Sequence, residues 1–436
     1  SRSWLLIGWT FLTLGIIVGA FWAYLELGWG GYWAWDPVEN ASLIPWLIST
    51  ALIHMIILKG KKQMFSVTTI ILAAATFALV IFGTFLTRSG IVASVHAFAQ
   101  DKRLGLALLG IIIGILSLTI IGIIKQRGAL KAEGQFESLT GKEFGLLSGA
   151  IIFLLLTVVV FLGTTLPIWT SGISKNQLSV GEDFYNRTTV PFFFGMLVLM
   201  GLVPMLKWTK TPRTIIKRRL LIPVLTGMLV SVGAALFGVR PATLSIAFGV
   251  GTSAIVSVIM HSRSLHSRQQ FGALLAHLAM IFIFVGVIAS SYYKQELDAA
   301  LMLGESVKIG PYILSYQKLD FFQENNARIM EATVLVQRNG QDLGVLNPQR
   351  RFYTPADIVI SETARRPTLL HDLYIVLAGT GRQNLGIFKV HVNPMVGWIW
   401  WSSFFLVPGM ILILWPCRKP VVSAEKSTVG ETAHAI

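Results

Sequence analysis

The chain has 436 residues, of which 54% are hydrophobic and only 13% charged, with a net charge of +15. That balance excludes an ordinary soluble globular domain. The basic residues fall in short loops between apolar runs, a membrane topology signal that argues against a nucleic-acid partner. A single cysteine, Cys417, excludes an internal disulfide, a Cys-x-x-Cys redox pair and the Cys-x-x-Cys-His site of a c-type cytochrome.

Apolar runs close to the ~20 residues that span a bilayer fall at about 4–25, 38–58, 66–86, 104–124, 146–166, 191–206, 220–238, 242–260, 271–292 and 396–416. The predicted fold is therefore an all-α polytopic membrane protein of about ten transmembrane helices, with a small β-rich extracytoplasmic domain. The chain begins at Ser1 inside membrane-like sequence, which reads as an N-terminal truncation.

Between the first two runs lies Trp29-Gly30-Gly31-Tyr32-Trp33-Ala34-Trp35-Asp36-Pro37-Val38-Glu39-Asn40-Ala41-Ser42. Trp and Tyr favour the headgroup level, but that accounts for one or two rings, not for this density. Asp36-Pro37 marks a helix start, with Asp as cap, Pro in the first turn and Glu39 near the positive helix end. The glycine pair lets the backbone lie close to something flat. An aromatic shelf above a helix start suits a large planar ligand with polar edges, such as heme.

Every second loop is basic. Lys59, Lys61 and Lys62 follow the second run, and Lys207 to Arg219 follow the sixth. Under the positive-inside rule these loops face the cytoplasm. The tryptophan-rich stretch, the loop 87–103 and the segment 293–395 then lie outside. In that last segment Val307-Lys308-Ile309, Ala332 to Val336 and Tyr374 to Leu377 read as strands, and Arg338-Asn339-Gly340-Gln341 as a hairpin turn. The predicted division is a transmembrane bundle over 1–292, a β-rich domain over 293–395, and a last helix with a cytoplasmic tail over 396–436.

Two of the eight histidines, His54 and His277, lie inside apolar runs, where ionisable residues are functional by default. At ~1.5 Å per residue, His54 lies ~7–8 Å before Lys59 and His277 ~9 Å after Phe271. Their helices run in opposite senses, so both imidazoles sit at similar depth from the inner surface. Facing each other, they suit axial ligation of one iron; two hydrogen-bonded bundle histidines are the alternative. His96 lies in the outer loop, on the side of the tryptophan-rich stretch. His261 and His266 read as solvated, and His391 has no ligand role. Arg88 and Arg240 stand at outer edges, as interface anchors or as guanidinium partners for heme propionates.

The stretch Trp29 to Ser42 resembles the WWD signature of heme-handling proteins in cytochrome c maturation, and most of all the CcmF/NrfE heme lyase family. Gly83-Thr84-Phe85-Leu86-Thr87-Arg88-Ser89-Gly90 with Ser94-Val95-His96, Leu275-Ala276-His277-Leu278 and Asn393-Pro394-Met395-Val396-Gly397-Trp398-Ile399-Trp400 support the resemblance. Tyr32 departs from the usual Trp, and no histidine precedes Trp29, where the family carries an external one.

The resemblance implies a heme lyase of the bacterial inner membrane, with the WWD stretch on the periplasmic side. Heme would be held at Trp29, Gly30, Gly31, Tyr32, Trp33, Trp35, Asp36, Pro37, Glu39, Asn40 and Arg88, with His96 on its iron. The vinyl groups would be joined to the thiols of an apocytochrome c Cys-x-x-Cys-His motif. His54 and His277 would hold a resident heme b. The implied partners are apocytochrome c, the heme-chaperone and apocytochrome-handling subunits, and a quinol or other electron donor. No residue reads as a nucleophile or general base, so catalysis would be positioning by Trp33, Trp35 and Asp36. Other readings are a heme exporter of the CcmC or CcsA type and a plain b-type membrane electron carrier.

Overall fold

The computed structural model describes residues 2–415, apart from 27, 29, 63, 93, 95–100, 131–133, 135–136, 172–177, 240–241, 263–264 and 354–357. Nine long helices come first: α1 (Arg2–Glu26), α2 (Pro37–Lys62), α3 (Ser66–Ser89), α4 (Lys102–Lys125), α5 (Lys142–Ser171), α6 (Glu182–Leu202), α7 (Arg213–Leu236), α8 (Ala242–Ser262) and α9 (Arg268–Tyr292). After a run of strands come α10 (Val396–Trp401) and α11 (Ser403–Leu414), which together make one span. Ten segments among the described residues are long and apolar enough to cross a membrane. Local signals set their ends. Asp101 caps α4 by accepting from the Arg103 and Leu104 amides. Ser267 and Gln270 close a capping box on α9.

Two helices start well ahead of the sequence expectation: α7 begins at Arg213 and so takes in Lys217, Arg218 and Arg219, expected in the loop before it, and α6 departs further. The predicted run 191–206 begins nine residues late, because α6 starts at Glu182. Its first turns carry Glu182, Asp183, Asn186 and Arg187, which a hydropathy window scores as loop. Those polar turns prove central to the site.

α2 is the central span: it packs on α1, α3 and α5. Leu47, Ala51, Leu52, Met55 and Leu58 along it are all buried. In contrast, α4 buries only Gly105, as befits a helix facing lipid.

The strands are β1 (Gln295–Leu301), β2 (Ser306–Ile309), β3 (Tyr312–Glu324), β4 (Ala327–Arg338), β5 (Gln341–Leu346), β6 (Gln349–Tyr353), β7 (Ile358–Glu362), β8 (Ala364–Arg366), β9 (His371–Thr380) and β10 (Gly386–Pro394). One antiparallel sheet runs β1-β10-β9-β8. The other runs β2-β3-β4-β6-β7, with β5 also paired to β4. Asn339 and Gly340 both have positive φ (51° and 78°), the turn that a two-residue hairpin between β4 and β5 requires.

Tyr312, Leu314, Val334 and Val336 of one sheet pack on Leu373, Ile375, Phe388 and Val390 of the other, forming a β-sandwich. β9 is buried on both faces. Leu373, Ile375 and Leu377 enter the sandwich core, while the alternating Tyr374 and Val376 pack on Tyr24 of α1 and on Val396 and Ile399 of α10. The sandwich therefore rests directly on one end of the bundle.

Candidate functional site

Two places on α2 stand out, one at each end. The first is the turn leading into the helix at the sandwich end. Trp35 takes φ 56°, a left-handed conformation that costs a non-glycine residue ~1–3 kcal/mol. Polar side chains hold it there. Asn40, fully buried, donates to the Trp35 carbonyl and to Thr164 Oγ1, both at 3.0 Å. The Glu39 carboxylate accepts from the Ala34 and Asp36 amides at 2.9 and 3.1 Å. Asp36 Oδ1 accepts from the Val38 amide at 2.9 Å, capping α2 ahead of Pro37.

As a result Trp35 turns inward. It is 9% exposed, its ring stacks on Tyr185 of α6 at 4.7 Å and 8°, and its Nε1 donates to Asn186 Oδ1 at 2.9 Å. Gly31, Tyr32, Trp33 and Asp36 stay half-buried beside it. The Trp33 ring meets Trp35 edge-on at 6.1 Å. The Tyr32 hydroxyl is 2.9 Å from Ser290 Oγ of α9.

The loop after α3 reaches the same place. Ser94 Oγ donates to Asp36 Oδ1 at 2.6 Å. Arg88 lies in the last turn of α3, which Gly90 ends in the left-handed region. His96, two residues beyond Ser94, and Trp29 lie outside the described residues.

The second place is in the half of the bundle away from the sandwich. The rings of His54 (α2) and His277 (α9) lie 6.5 Å apart, centre to centre, with planes at 86°. His54 Nδ1 is 2.8 Å from the Thr50 carbonyl, and His277 Nδ1 is 2.6 Å from the Ala273 carbonyl. A ring nitrogen facing a carbonyl oxygen must carry the proton, so each neutral imidazole keeps its Nε2 lone pair free.

An iron bonded to both Nε2 atoms needs ~2 Å per bond and ~1 Å from each nitrogen to its ring centre, ~6 Å in all. The observed separation fits. A cavity of about 560 Å³ opens at the pair, walled by Leu6, Trp9, Phe153 and Met280 and reached by Arg2, Lys61 and Lys142 at its far end. Its size is that of an ordinary cofactor site. Largely apolar walls with cations among the lining suit a porphyrin with its carboxylates.

Several residues that build the outer turn escape a reading of the sequence. Tyr185, Asn186 and Glu182 lie in the polar start of α6, and His391 and Asn393 come from β10. Asn393 donates to the Gly30 carbonyl at 3.3 Å and to the Tyr24 hydroxyl at 3.1 Å. The one available signal is the polar character of Glu182–Thr188 next to an apolar run, which marks a helix end facing something other than lipid.

Comparison with known proteins identifies relatives along nearly the whole chain. Residues 1–92 match the cytochrome C assembly protein family model, and residues 292–394 match the CcmF C-terminal beta-sandwich. The cytochrome c-type biogenesis protein CcmF of Pseudomonas aeruginosa is 32% identical over 94% of this chain and 64% of its own length. CcmF of Escherichia coli is 31% identical over 98% of this chain and 67% of its own. NrfE of Haemophilus influenzae is 33% identical over 96% and 67%. The chain thus spans about two thirds of these relatives. A solved structure named cytochrome c heme lyase CcmF superposes with a TM-score of 0.79 at 28% identity, over 95% of this chain and 66% of that one. Sequence and fold agree, and the chain belongs to the CcmF/NrfE family of cytochrome c-type biogenesis proteins.

Proposed function

We propose that this protein presents heme at the turn 29–42 on the periplasmic face of the bacterial inner membrane and promotes its thioether attachment to the Cys-x-x-Cys-His motif of apocytochrome c. The observation that carries this reading is the separation of the two places on one helix. His54 lies eighteen residues beyond Asp36, ~27 Å at ~1.5 Å per residue. A porphyrin about half that width cannot touch both, so a resident group and a substrate have distinct sites.

At the outer turn, Trp33 and Tyr32 offer ring faces and edges to the porphyrin, and each aromatic contact adds ~0.5–1.5 kcal/mol beyond burial. Asp36 ties the turn to the loop that bears His96, the iron ligand in this reading. Arg88, in the last turn of α3, would pair with a propionate. Each substrate thiol adds across a vinyl group: a carbon–sulfur bond forms at one carbon and the thiol proton ends on the other. Nothing leaves and no external oxidant is consumed. The protein's part is orientation, which can lower such a barrier by ~7–11 kcal/mol at best.

At the inner pair, the Thr50 and Ala273 carbonyls fix the tautomers and leave both Nε2 atoms to bind one iron. Heme b bound there would supply one-electron reduction, with electrons from a quinol or another donor. The apolar walls exclude water, and Arg2, Lys61 and Lys142 would offset the charge of the heme carboxylates. Apocytochrome c and the subunits that deliver heme and apocytochrome are the proposed partners.

The test is an optical spectrum of the purified full chain. His54→Ala and His277→Ala should each abolish the low-spin heme signal while the protein still inserts. Wild-type spectra from both variants would make the pair structural.

A further inference from the structure

We propose that His391 is a positioning residue for the heme-presenting turn: its imidazole is the seat on which Gly30 rests, and it sets the height of Tyr32 and Trp33 above the bundle. This rests on the assignment of that turn as the outer heme site.

The contact is close. Gly30 has φ 79°, and a Cβ added there would run into the His391 ring. Two residues along the same face of β10, Asn393 holds the Gly30 carbonyl at 3.3 Å. The turn backbone is thus supported from below by one strand of the sandwich, at a point where only glycine fits.

His391 is itself fixed from both sides. It is 7% exposed. Glu296, directly opposite it on β1, brings Oε1 to 3.5 Å from Nδ1. Tyr374, directly opposite on β9, meets the ring edge-on at 5.8 Å. Neither ring nitrogen has a hydrogen-bond partner among the described residues. Burying these nitrogens without a hydrogen bond has a cost that an apolar side chain of the same shape would avoid.

The seat is tied to the other anchor of the turn. Glu296 Oε1 is 2.8 Å from Lys294 Nζ, which lies 3.4 Å from Glu182 Oε1. Glu182 accepts from Asn186 at 3.3 Å, and Asn186 accepts from Trp35 Nε1 at 2.9 Å. Burial works against the Lys294 charge, but the Glu296 and Glu182 carboxylates outweigh it and hold its pKa above the ordinary lysine range. Gly30 and Trp35 bracket Tyr32 and Trp33. One anchor comes from the sandwich and one from α6, and Lys294 joins them. Shifting His391 therefore moves one end of the bracketed rings relative to the other.

The experiment titrates the purified full chain with hemin and reads the Soret change, with the inner low-spin spectrum as internal control. Gly30→Ala should weaken hemin binding at least tenfold, because its Cβ meets the imidazole. His391→Ala should weaken it severalfold by removing the seat. The double variant Gly30→Ala with His391→Ala should bind hemin more tightly than Gly30→Ala alone, since the new methyl then has room. His391→Gln, close in volume, should stay within about threefold of wild type and should not rescue Gly30→Ala. The inner spectrum should not change in any of them.

A double variant no better than Gly30→Ala alone overturns the proposal, as does a Gly30→Ala protein that binds like wild type. Should His391→Ala fail to fold, His391→Gln decides: a loss as large as that of Gly30→Ala contradicts a seat defined by shape. Wild-type protein that takes up no hemin beyond the inner heme would overturn the outer-site reading itself, and this inference with it.

Discussion

The two ends of α2 solve opposite problems. At the inner end, two helices supply both imidazoles, each tautomer fixed by a carbonyl one turn back on the same helix. At the outer end, the turn is assembled from distant parts of the chain. Ser94, Asn186 and Asn393 all bond to residues between 30 and 36. In the turn nearly every polar side chain is engaged with backbone, as Asp36, Glu39 and Asn40 are. In the pair, the second nitrogen of each ring is left free. A site whose ligating groups are each fixed within a single helix depends less on changes elsewhere. A turn held by three outlying segments is sensitive to substitutions far from any ligand, and this difference can be broken at several points.

The largest effect concerns which side each end faces. In a Cys417→Ser background, cysteine at Gln341 in the sandwich should react with a membrane-impermeant reagent in cells whose outer membrane is permeabilised. Cysteine at Lys210, in the basic loop before α7, should not. Labelling at Lys210 alone would invert the proposed orientation.

Next comes Asp36→Ala. It removes the α2 cap, worth ~1 kcal/mol, and the charge-assisted bond from Ser94, worth ~1.5–3 kcal/mol. Holocytochrome yield should fall tenfold or more while the inner spectrum stays. Equal loss at both sites would show that the two ends are one unit.

A smaller effect probes the junction of sandwich and bundle. Asp372 is 1% exposed, accepts from the Thr368 amide at 3.3 Å and lies 3.8 Å from Arg365. Burial pushes its pKa up from 3.8 to about 6, against the Thr368 amide and Arg365. The folded state then binds the proton more tightly than the unfolded chain does. The stability it contributes is full below about pH 4 and lost as pH rises through 6, a cost on the order of 2–3 kcal/mol at neutral pH. Asp372→Asn should raise the unfolding midpoint by a few degrees at pH 7.5, with the gain vanishing near pH 4. A gain that persists at pH 4 would assign the effect to packing.

Much of this was legible in the sequence, and the limits have physical causes. The ten spans follow from apolar runs, and the start of α2 follows from Asp36-Pro37. The matched depth of His54 and His277 follows from the sequence, because a straight helix converts residue number into distance, whereas their 6.5 Å approach depends on how the helices are arranged. The start of α6 was hidden because its outer turns are polar where they pack against the turn and Lys294 rather than against lipid. The inward rotation of Trp35 depends on a single positive φ that only tertiary bonds sustain, and no local pattern announces it. The sequence assigns His391 no ligand role. Its seat under Gly30 lies more than 360 residues away in sequence, a contact that only the stacking of sandwich on bundle creates.

The central claim is that the two ends are separate heme sites, and one paired measurement tests it most directly. The low-spin spectrum of the purified protein and the yield of holocytochrome c would be read together for His54→Ala, for His96→Ala and for Trp33→Ala. His54→Ala should lose the low-spin spectrum. His96→Ala should abolish the yield and keep that spectrum, and Trp33→Ala should lower the yield in the same way, by less. Loss of the low-spin spectrum in His96→Ala or Trp33→Ala together with normal holocytochrome yield would contradict the account, because the outer residues would then serve the inner heme.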